Sequence, residues 1–538
     1  MDFSSFTDFN RFPILLTLLL PTLIFLILQS VSFKRKILPP GPFPWPIIGN
    51  IPHVIGTKPH VLVSNLAKKY GPLMSLRMGT RAVVFGSSPA AAVEILKTHD
   101  RELSARYAPK ATPIEESDLK KFSLLWATDC HPHWKSIRVL WKSEFFSNKA
   151  LDLQAEIRAK KMEQMMEFLR NKEGSILTIR DTVFTTVYNT LGNICFSKDL
   201  IDFNDEKMGS DWRVIMWRFM ECATTPIVAD FFPFLEGLKL DPLGQQKKSK
   251  KCMDKMFGVW GDLIKQRRME NGSDDVINHG DFLDFMMANG FSDVQMLYML
   301  LEILPAGAGT LVATSEWAMA ELLKNKEAMA KLREELEGEM NSNSIKESNL
   351  SKLPYLNACI KETLRLHPPI AFLPHSANST CEVMNYTIPK NSLVMVNLWA
   401  MGHDPTIWDD PLSFMPERFL NSNLEFKGQH FEFLPFGGGR RMCPGLPYAH
   451  RQLQLILASL ICYFKWSLPN DRQKKECALL SRLPYNGGEN QQKALNLPSF
   501  FTIHHLFCHC LETIQNLRQP TEALGVCLGH LASWPTLP

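Results

Sequence analysis

At 538 residues, with 45% apolar and 21% charged side chains, the chain has ample material for a globular core, and length alone leaves one large or several ordinary domains open. A formal charge of only +4 does not supply the concentrated basic surface that nucleic-acid binding needs. Its twelve cysteines include no CxxC pair, so neither a zinc ribbon nor a disulfide framework is indicated, and most read as reduced core thiols of a cytosol-facing protein.

No charged residue lies between Phe12 and Phe33, a stretch rich in Leu, Ile and Phe. That is enough for a helix across a bilayer core, which needs about 20 residues. Lys34, Arg35 and Lys36 follow at once, which places the C-terminal side in the cytosol by the positive-inside rule. A cleaved signal peptide would have a shorter apolar region and a small-residue cleavage site. Residues 1–33 are therefore expected to be a retained anchor, with Pro21 as a tolerated kink. The five prolines of LPPGPFPWPIIGN (38–50) cannot continue a helix. They predict a stiff connector over residues 34–52 that holds the next domain at a fixed attitude on the membrane.

From 53 to 471 the pattern is that of one large, mainly helical domain. Helical periodicity is clear in residues 153–171 and 316–340, and short strand-like pieces, LMSLRM and AVVFG, lie near the start. The run KKSKK (247–251) reads as a solvated helix face. No internal repeat or low-complexity linker interrupts the domain.

Four stretches carry chemistry. HPHWKSIRVLW sets Trp134 and Arg138 four residues apart, on one helix face. ILPAGAGTLVATSEW (303–317) is apolar, with Pro305 inside it, which removes a hydrogen bond and predicts a kink. KETLRLHPP places Glu362 and Arg365 three apart, able to pair on a helix. Such pairs abound on surfaces, but this one sits in an apolar stretch ending at Pro368-Pro369, which favours a buried network. In FLPFGGGRRMCPG (433–445), Cys443 stands among glycines and beside two arginines. Glycines let backbone N–H groups close on a sulfur and favour its thiolate, and arginines bind anionic oxygens in bidentate fashion. The loop suggests a cysteine presented to a large, flat ligand bearing carboxylates.

With Phe436, Gly439, Arg441, Cys443 and Gly445 at the spacing F-x-x-G-x-R-x-C-x-G, this loop resembles the haem-binding loop of the cytochrome P450 family. The resemblance covers roughly residues 1–470, in the order anchor, proline connector, W-x-x-x-R, distal helix, E-x-x-R, PERF and cysteine loop. It implies a mainly α fold with a small β region, a single large haem domain behind an N-terminal transmembrane helix. It implies haem b (iron protoporphyrin IX) as cofactor and Cys443 as the axial ligand of its iron, with Gly445 letting the next helix pack close to the ring. Trp134, Arg138 and Arg441 are the implied propionate contacts, and His375 stands where related enzymes often have arginine. Glu362, Arg365 and Arg418 (from FMPERF, 414–419) are the implied structural triad behind the haem pocket. Most oxygenases of the family carry A-G-x-(Asp/Glu)-Thr on the distal helix, where acid and threonine pass protons. Here Ala306, Gly307 and Thr310 match, but Gly309 replaces the acid, so proton delivery falls to Thr310, water or substrate.

Phrases such as EWAMAELL and KETLRLHPP look like plant microsomal members. EILKTHDRELSARYAP and CEVMNYTIPKNSLVMVNLWAMGHDP are similar to plant enzymes that modify benzylisoquinoline and tropane alkaloids, and closely related plant sequences oxidise monoterpenoids. The implied activity is monooxygenase or oxidase chemistry on a small hydrophobic secondary metabolite, an alkaloid in the first place. O2 and electrons from NADPH–cytochrome P450 reductase would drive it at the endoplasmic reticulum, with a single-pass anchor and the catalytic domain facing the cytosol. Gly309 keeps two alternatives open: a phenol-coupling or rearranging enzyme of the same fold, and a catalytically impaired haem protein.

The substrate pocket is expected between residues 106–126, Ala306 and Thr310 of the distal helix, and Ile370 and Phe372. Glu115, Glu116 and Asp118 are either partners for an amine cation or an ordinary solvated acidic loop. Arg440, Lys135 and Lys142 are the expected basic face for the reductase, against the plain reading of solvating charges. From residue 472 to 538 the chain does not resemble the short β-hairpin that closes the family's pocket, and a tail altered by mis-splicing or gene prediction is the plainest account. HHLFCHC (504–510) has metal-ligand residue types but no second ligand pair at zinc spacing, so no zinc site is expected.

Overall fold

In the computed structural model, which describes residues 38–54, 57–271, 279–339 and 345–467, the longest element is a 32-residue helix, Asp293–Lys324. The expected anchor and the C-terminal tail lie outside the described residues. Ser292 and Gln295 cap this distal helix reciprocally. Ser292 Oγ accepts from Gln295 N (3.3 Å), and Gln295 Oε1 accepts from Ser292 N (2.9 Å). Apolar side chains cover nearly all of its circumference, so it is buried as the central helix. Among the described residues it alone is long and apolar enough to cross a membrane, but 67% of that apolar window is buried within the protein. It continues through Pro305 without a break. Helices Ile179–Phe196, Pro354–Leu366 and Leu446–Tyr463 pack against it.

The expected strand pieces near the start form an antiparallel hairpin, β1 (Leu73–Met78) with β2 (Arg81–Gly86). Four further strands follow helix Pro354–Leu366: β3 (Phe372–Ser376), a small hairpin of β4 (Cys381–Val383) and β5 (Tyr386–Ile388), and β6 (Leu393–Asn397). β6 runs parallel to β2 and antiparallel to β3, giving the order β1-β2-β6-β3. Pro374 is tolerated in β3 because that strand is an edge, where a missing donor breaks no ladder. The sheet region is therefore built as much from residues 372–397 as from the N-terminal part.

The proline connector docks onto this sheet. Ser75 N donates to Pro40 O (2.9 Å), and Gly49 bridges to Met78. Gly49 has φ +65, and a Cβ there would sit 2.1 Å from the carbonyl oxygen of Arg77, so the approach requires glycine.

Candidate active site

The cysteine loop closes on itself before it enters helix Leu446–Tyr463, where Cys443 N donates to Phe436 O (2.9 Å). Gly439 takes φ +64, and a Cβ there would lie 2.5 Å from Leu96 O and 2.7 Å from Asp100 Oδ1. Only glycine lets the loop press against that turn. Asp100 in turn accepts from Arg440 N (3.2 Å) and Arg440 Nε (2.7 Å), so Arg440 is largely committed to an ion pair. Lys135 and Lys142 are exposed.

Cys443 is enclosed by protein yet open to an internal cavity. Burial pushes its thiol up, and the N–H groups of Gly445 and Leu446, together with Arg138, act against that. A helix N-terminus and a guanidinium both favour a thiolate at this sulfur. Trp134, Arg138, Ala306, Thr310, Ile370, Phe436, Arg441 and Gly445 all line the same cavity as Cys443. Thr310 Oγ1 donates to Ala306 O (2.8 Å), one helical turn back.

Two expected residues face elsewhere. Phe372 packs edge-on against Phe85 (5.5 Å between ring centroids) and, with His375, lines an adjoining cavity between the sheet and the segment around Phe231. His375 holds Leu103 O through Nδ1 (2.8 Å). Burial, followed by the nearby Arg106 and Arg441, keeps its imidazole well below the usual value, so it offers no positive charge to an anion. Of the acidic loop, Glu115 is exposed and Asp118 accepts from the Tyr298 hydroxyl (3.3 Å), and neither lines the cavity.

Positive charge is in surplus here. Arg441 spends three of its five donors on Ser104 O (2.8 Å), Leu124 O (3.0 Å) and Ala127 O (2.6 Å), and stacks 4.6 Å from the Trp134 ring. Arg138 donates to Met442 O (2.5 Å). Arg106, which no motif singled out, is buried in the same cavity with Nε and Nη1 lacking any partner among the described residues. Burial, then Arg441 and Arg138, pull it down to about 9. An unpartnered buried guanidinium is costly unless an anionic ligand completes it. Three arginines converging beside a cysteine fit a ligand bearing more than one carboxylate.

A single acid lines this cavity among the described residues, Glu302 of the distal helix. It accepts from the Ser123 hydroxyl, from Leu124 N (2.9 Å) and from Leu125 N (3.1 Å). Burial pushes its carboxyl up to about 7, against those donors and Arg441. The Leu124–Leu125 peptide is shared: the Leu125 N–H serves Glu302, and the Leu124 oxygen accepts from Arg441 and from Trp134 Nε1 (3.0 Å). The sequence did contain a signal, because Glu302 is the lone charge between Asp293 and Glu316.

Behind the loop, Glu362 and Arg365 are wholly buried and paired, and Arg418 Nε reaches Glu362 Oε1 (3.0 Å). The Arg365 and Arg418 guanidiniums lie 5.4 and 6.0 Å from the Trp408 ring. From there, rings pack in sequence through Phe419, Phe433 and Phe426 to Phe436 of the cysteine loop.

Comparison with known proteins bears on the same residues. The description "Cytochrome P450" matches residues 39–486, which continues past residue 471, the expected end of the domain. A probable (S)-N-methylcoclaurine 3'-hydroxylase isozyme 2 of Coptis japonica is 44% identical over 85% of this chain and 92% of its own length. The (S)-N-methylcoclaurine 3'-hydroxylase isozyme 1 of Eschscholzia californica is 41% identical over 85% of the chain and 92% of its length. Corytuberine synthase of Coptis japonica is 42% identical over 84% and 92% respectively. With its cysteine loop, distal helix and buried triad all falling inside the matched region, the chain belongs to the cytochrome P450 family of oxidoreductases.

Proposed function

We propose that the protein is a haem b monooxygenase that hydroxylates a small hydrophobic alkaloid, anchored in the endoplasmic reticulum membrane by residues 1–33. Electrons come from NADPH–cytochrome P450 reductase, docked near the exposed Lys135 and Lys142. The observation that carries this reading is Cys443, opening onto a cavity beside a helix N-terminus and three convergent arginines. Haem, when bound, supplies reductive activation of O2 and oxidation of an unactivated C–H bond.

The chain's own residues do the rest. Cys443 would hold the haem iron through its sulfur, and the N–H groups of Gly445 and Leu446 would hold the negative charge of that sulfur. Arg106, Arg138 and Arg441 would neutralise the propionates, with Trp134 stacked against Arg441. Phe436 packs on Phe426 (5.4 Å) and keeps water from the sulfur side. Ala306 and Ile370 wall the substrate space, and the Thr310 hydroxyl handles protons there.

The test is the difference spectrum of reduced, carbon-monoxide-bound protein beside a Cys443→Ser control. The strongly red-shifted band of thiolate-ligated haem is expected in the first and absent from the second. Its absence from well-expressed wild-type protein would end this reading.

Gly309 favours a second reading, in which the same site couples or rearranges its substrate without inserting oxygen. Labelled O2 separates them: label in the product supports hydroxylation, and an unlabelled oxidised product supports coupling.

A further inference from the structure

We infer that Glu302 is the counter-ion for a substrate ammonium group, so that the cavity selects small hydrophobic amines. This rests on the reading of the cavity as the haem and substrate site. Glu302, Ala306 and Thr310 recur every four residues, which puts them along one face of the distal helix, and all three line the cavity of Cys443. The three arginines there are matched to haem carboxylates. Among the described residues, that leaves Glu302 as the one charge lining the cavity that is available to the substrate.

Its hydrogen bonds leave room for a ligand. A carboxylate offers about four acceptor positions. The Ser123 hydroxyl and the N–H groups of Leu124 and Leu125 supply three donors, the last shared between the two oxygens at 3.1 and 3.2 Å. A ligand N–H takes the Oε2 position that opens when the Leu125 N–H settles on Oε1 alone, and the protein donors hold the carboxylate fixed meanwhile.

Proton delivery in place of the acid missing at Gly309 is a poorer use of Glu302. Eight residues separate it from Thr310, about 12 Å along the helix axis, well beyond a hydrogen bond. The same distance suits recognition of the far end of an elongated substrate. The N-methylcoclaurine 3'-hydroxylases to which the chain is similar are named for an N-methylated compound.

Charge supports the assignment. The groups around Glu302 are Ser123, Arg441 behind the Leu124–Leu125 peptide, Arg106 and Arg138 in the same cavity, and the Tyr298–Asp118 pair one turn back on its helix. Burial holds its carboxyl at about 7, so near neutral pH the empty site carries about half a proton. An ammonium entering the site stabilises the carboxylate and expels that proton.

The test uses the haem-loaded full-length chain and two probes. One is 1-benzyl-2-methyl-1,2,3,4-tetrahydroisoquinoline, an amine that is cationic at neutral pH. The other is its neutral carbon isostere, 1-benzyl-2-methyltetralin. Binding is read from the shift in haem absorption and from calorimetry in two buffers of different ionisation enthalpy. The amine should release about half a proton per site at pH 7 and the isostere none. Glu302→Gln should weaken the amine by about tenfold to a hundredfold and leave the isostere unchanged. Equal weakening of both probes would make Glu302 a structural clamp and overturn the inference. So would equal affinity of the wild type for the amine and its neutral isostere, a readout that needs no variant to fold. A missing thiolate–carbon monoxide band sinks the haem reading itself, whereas a normal band with either contrary result sinks this inference alone.

Discussion

The Arg365 guanidinium meets the Glu362 carboxylate edge to edge, Nε to Oε2 at 2.7 Å and Nη2 to Oε1 at 2.8 Å, and neither side chain is exposed. Arg365 also donates to Gly402 O (2.5 Å) and Pro411 O (2.8 Å), so the pair knits the helix to the following loops. Glu362→Ala would leave Arg365, Arg418 and the Met415 N–H without their shared acceptor. The expected loss is about 3–5 kcal/mol, since a buried charge stripped of its partner is strongly destabilising. Chemical denaturation of the purified variant measures it, and a shift within 1 kcal/mol contradicts it.

Arg106 predicts the opposite balance. Among the described residues it has no partner at Nε or Nη1, so removing it takes no hydrogen bond at those two atoms from the haem-free chain. Arg106→Leu should leave haem-free stability unchanged or raised, while the haem-to-protein ratio falls several-fold. Pyridine haemochrome assay and thermal unfolding read the two quantities separately.

Glu302 makes stability depend on pH. Burial raises its carboxyl from 4.5 to about 7 in the folded chain. Below the lower value both states hold the proton, and the group has no effect. Between the two, the unfolded chain releases the proton and the folded chain keeps it, so stability falls as pH rises. The whole loss is about 3 kcal/mol and is complete above pH 7. Wild type and Glu302→Gln, compared by urea denaturation without amine at pH 4.5 and pH 7.5, should differ in the variant's favour at the higher pH. A constant difference would refute the shift.

With Gly309 where the acid is expected, the proposed routes for protons are Thr310, water or substrate, and the Thr310 hydroxyl donates to Ala306 O. Gly309→Asp should raise the rate of product formation by about tenfold or more, the scale of a positioned acid, and bring the ratio of product formed to NADPH consumed towards one. Thr310→Ala should lower that ratio and raise hydrogen peroxide release. An unchanged rate in Gly309→Asp would mean that another route already serves.

What could be read from the chain was whatever is local. The cysteine loop, the two helical pairs Trp134/Arg138 and Glu362/Arg365, and the β1–β2 hairpin are spelled by short spacings, and the structure brings them together. The β4–β5 hairpin was hidden because its turn uses Met384 (φ 50) and Asn385 (φ 65). Only the second of these is a residue that announces a left-handed turn. β3 was hidden by Pro374, acceptable only because the strand is an edge. Arg106 and Glu302 gain their meaning from partners far along the chain. Ser123 and Glu302 are 179 residues apart, a separation at which no pattern of spacing can operate.

The peptide joining Leu124 and Leu125 lies between the carboxylate of Glu302 and the guanidinium of Arg441, bonded to the first through the Leu125 N–H and to the second through the Leu124 oxygen. A negative charge on the first strengthens the dipole that the second leans on. The two ends of the cavity therefore communicate through one amide. Such communication is reciprocal by thermodynamic necessity: whatever factor an occupied cofactor end adds to amine affinity, the amine returns to retention of the cofactor.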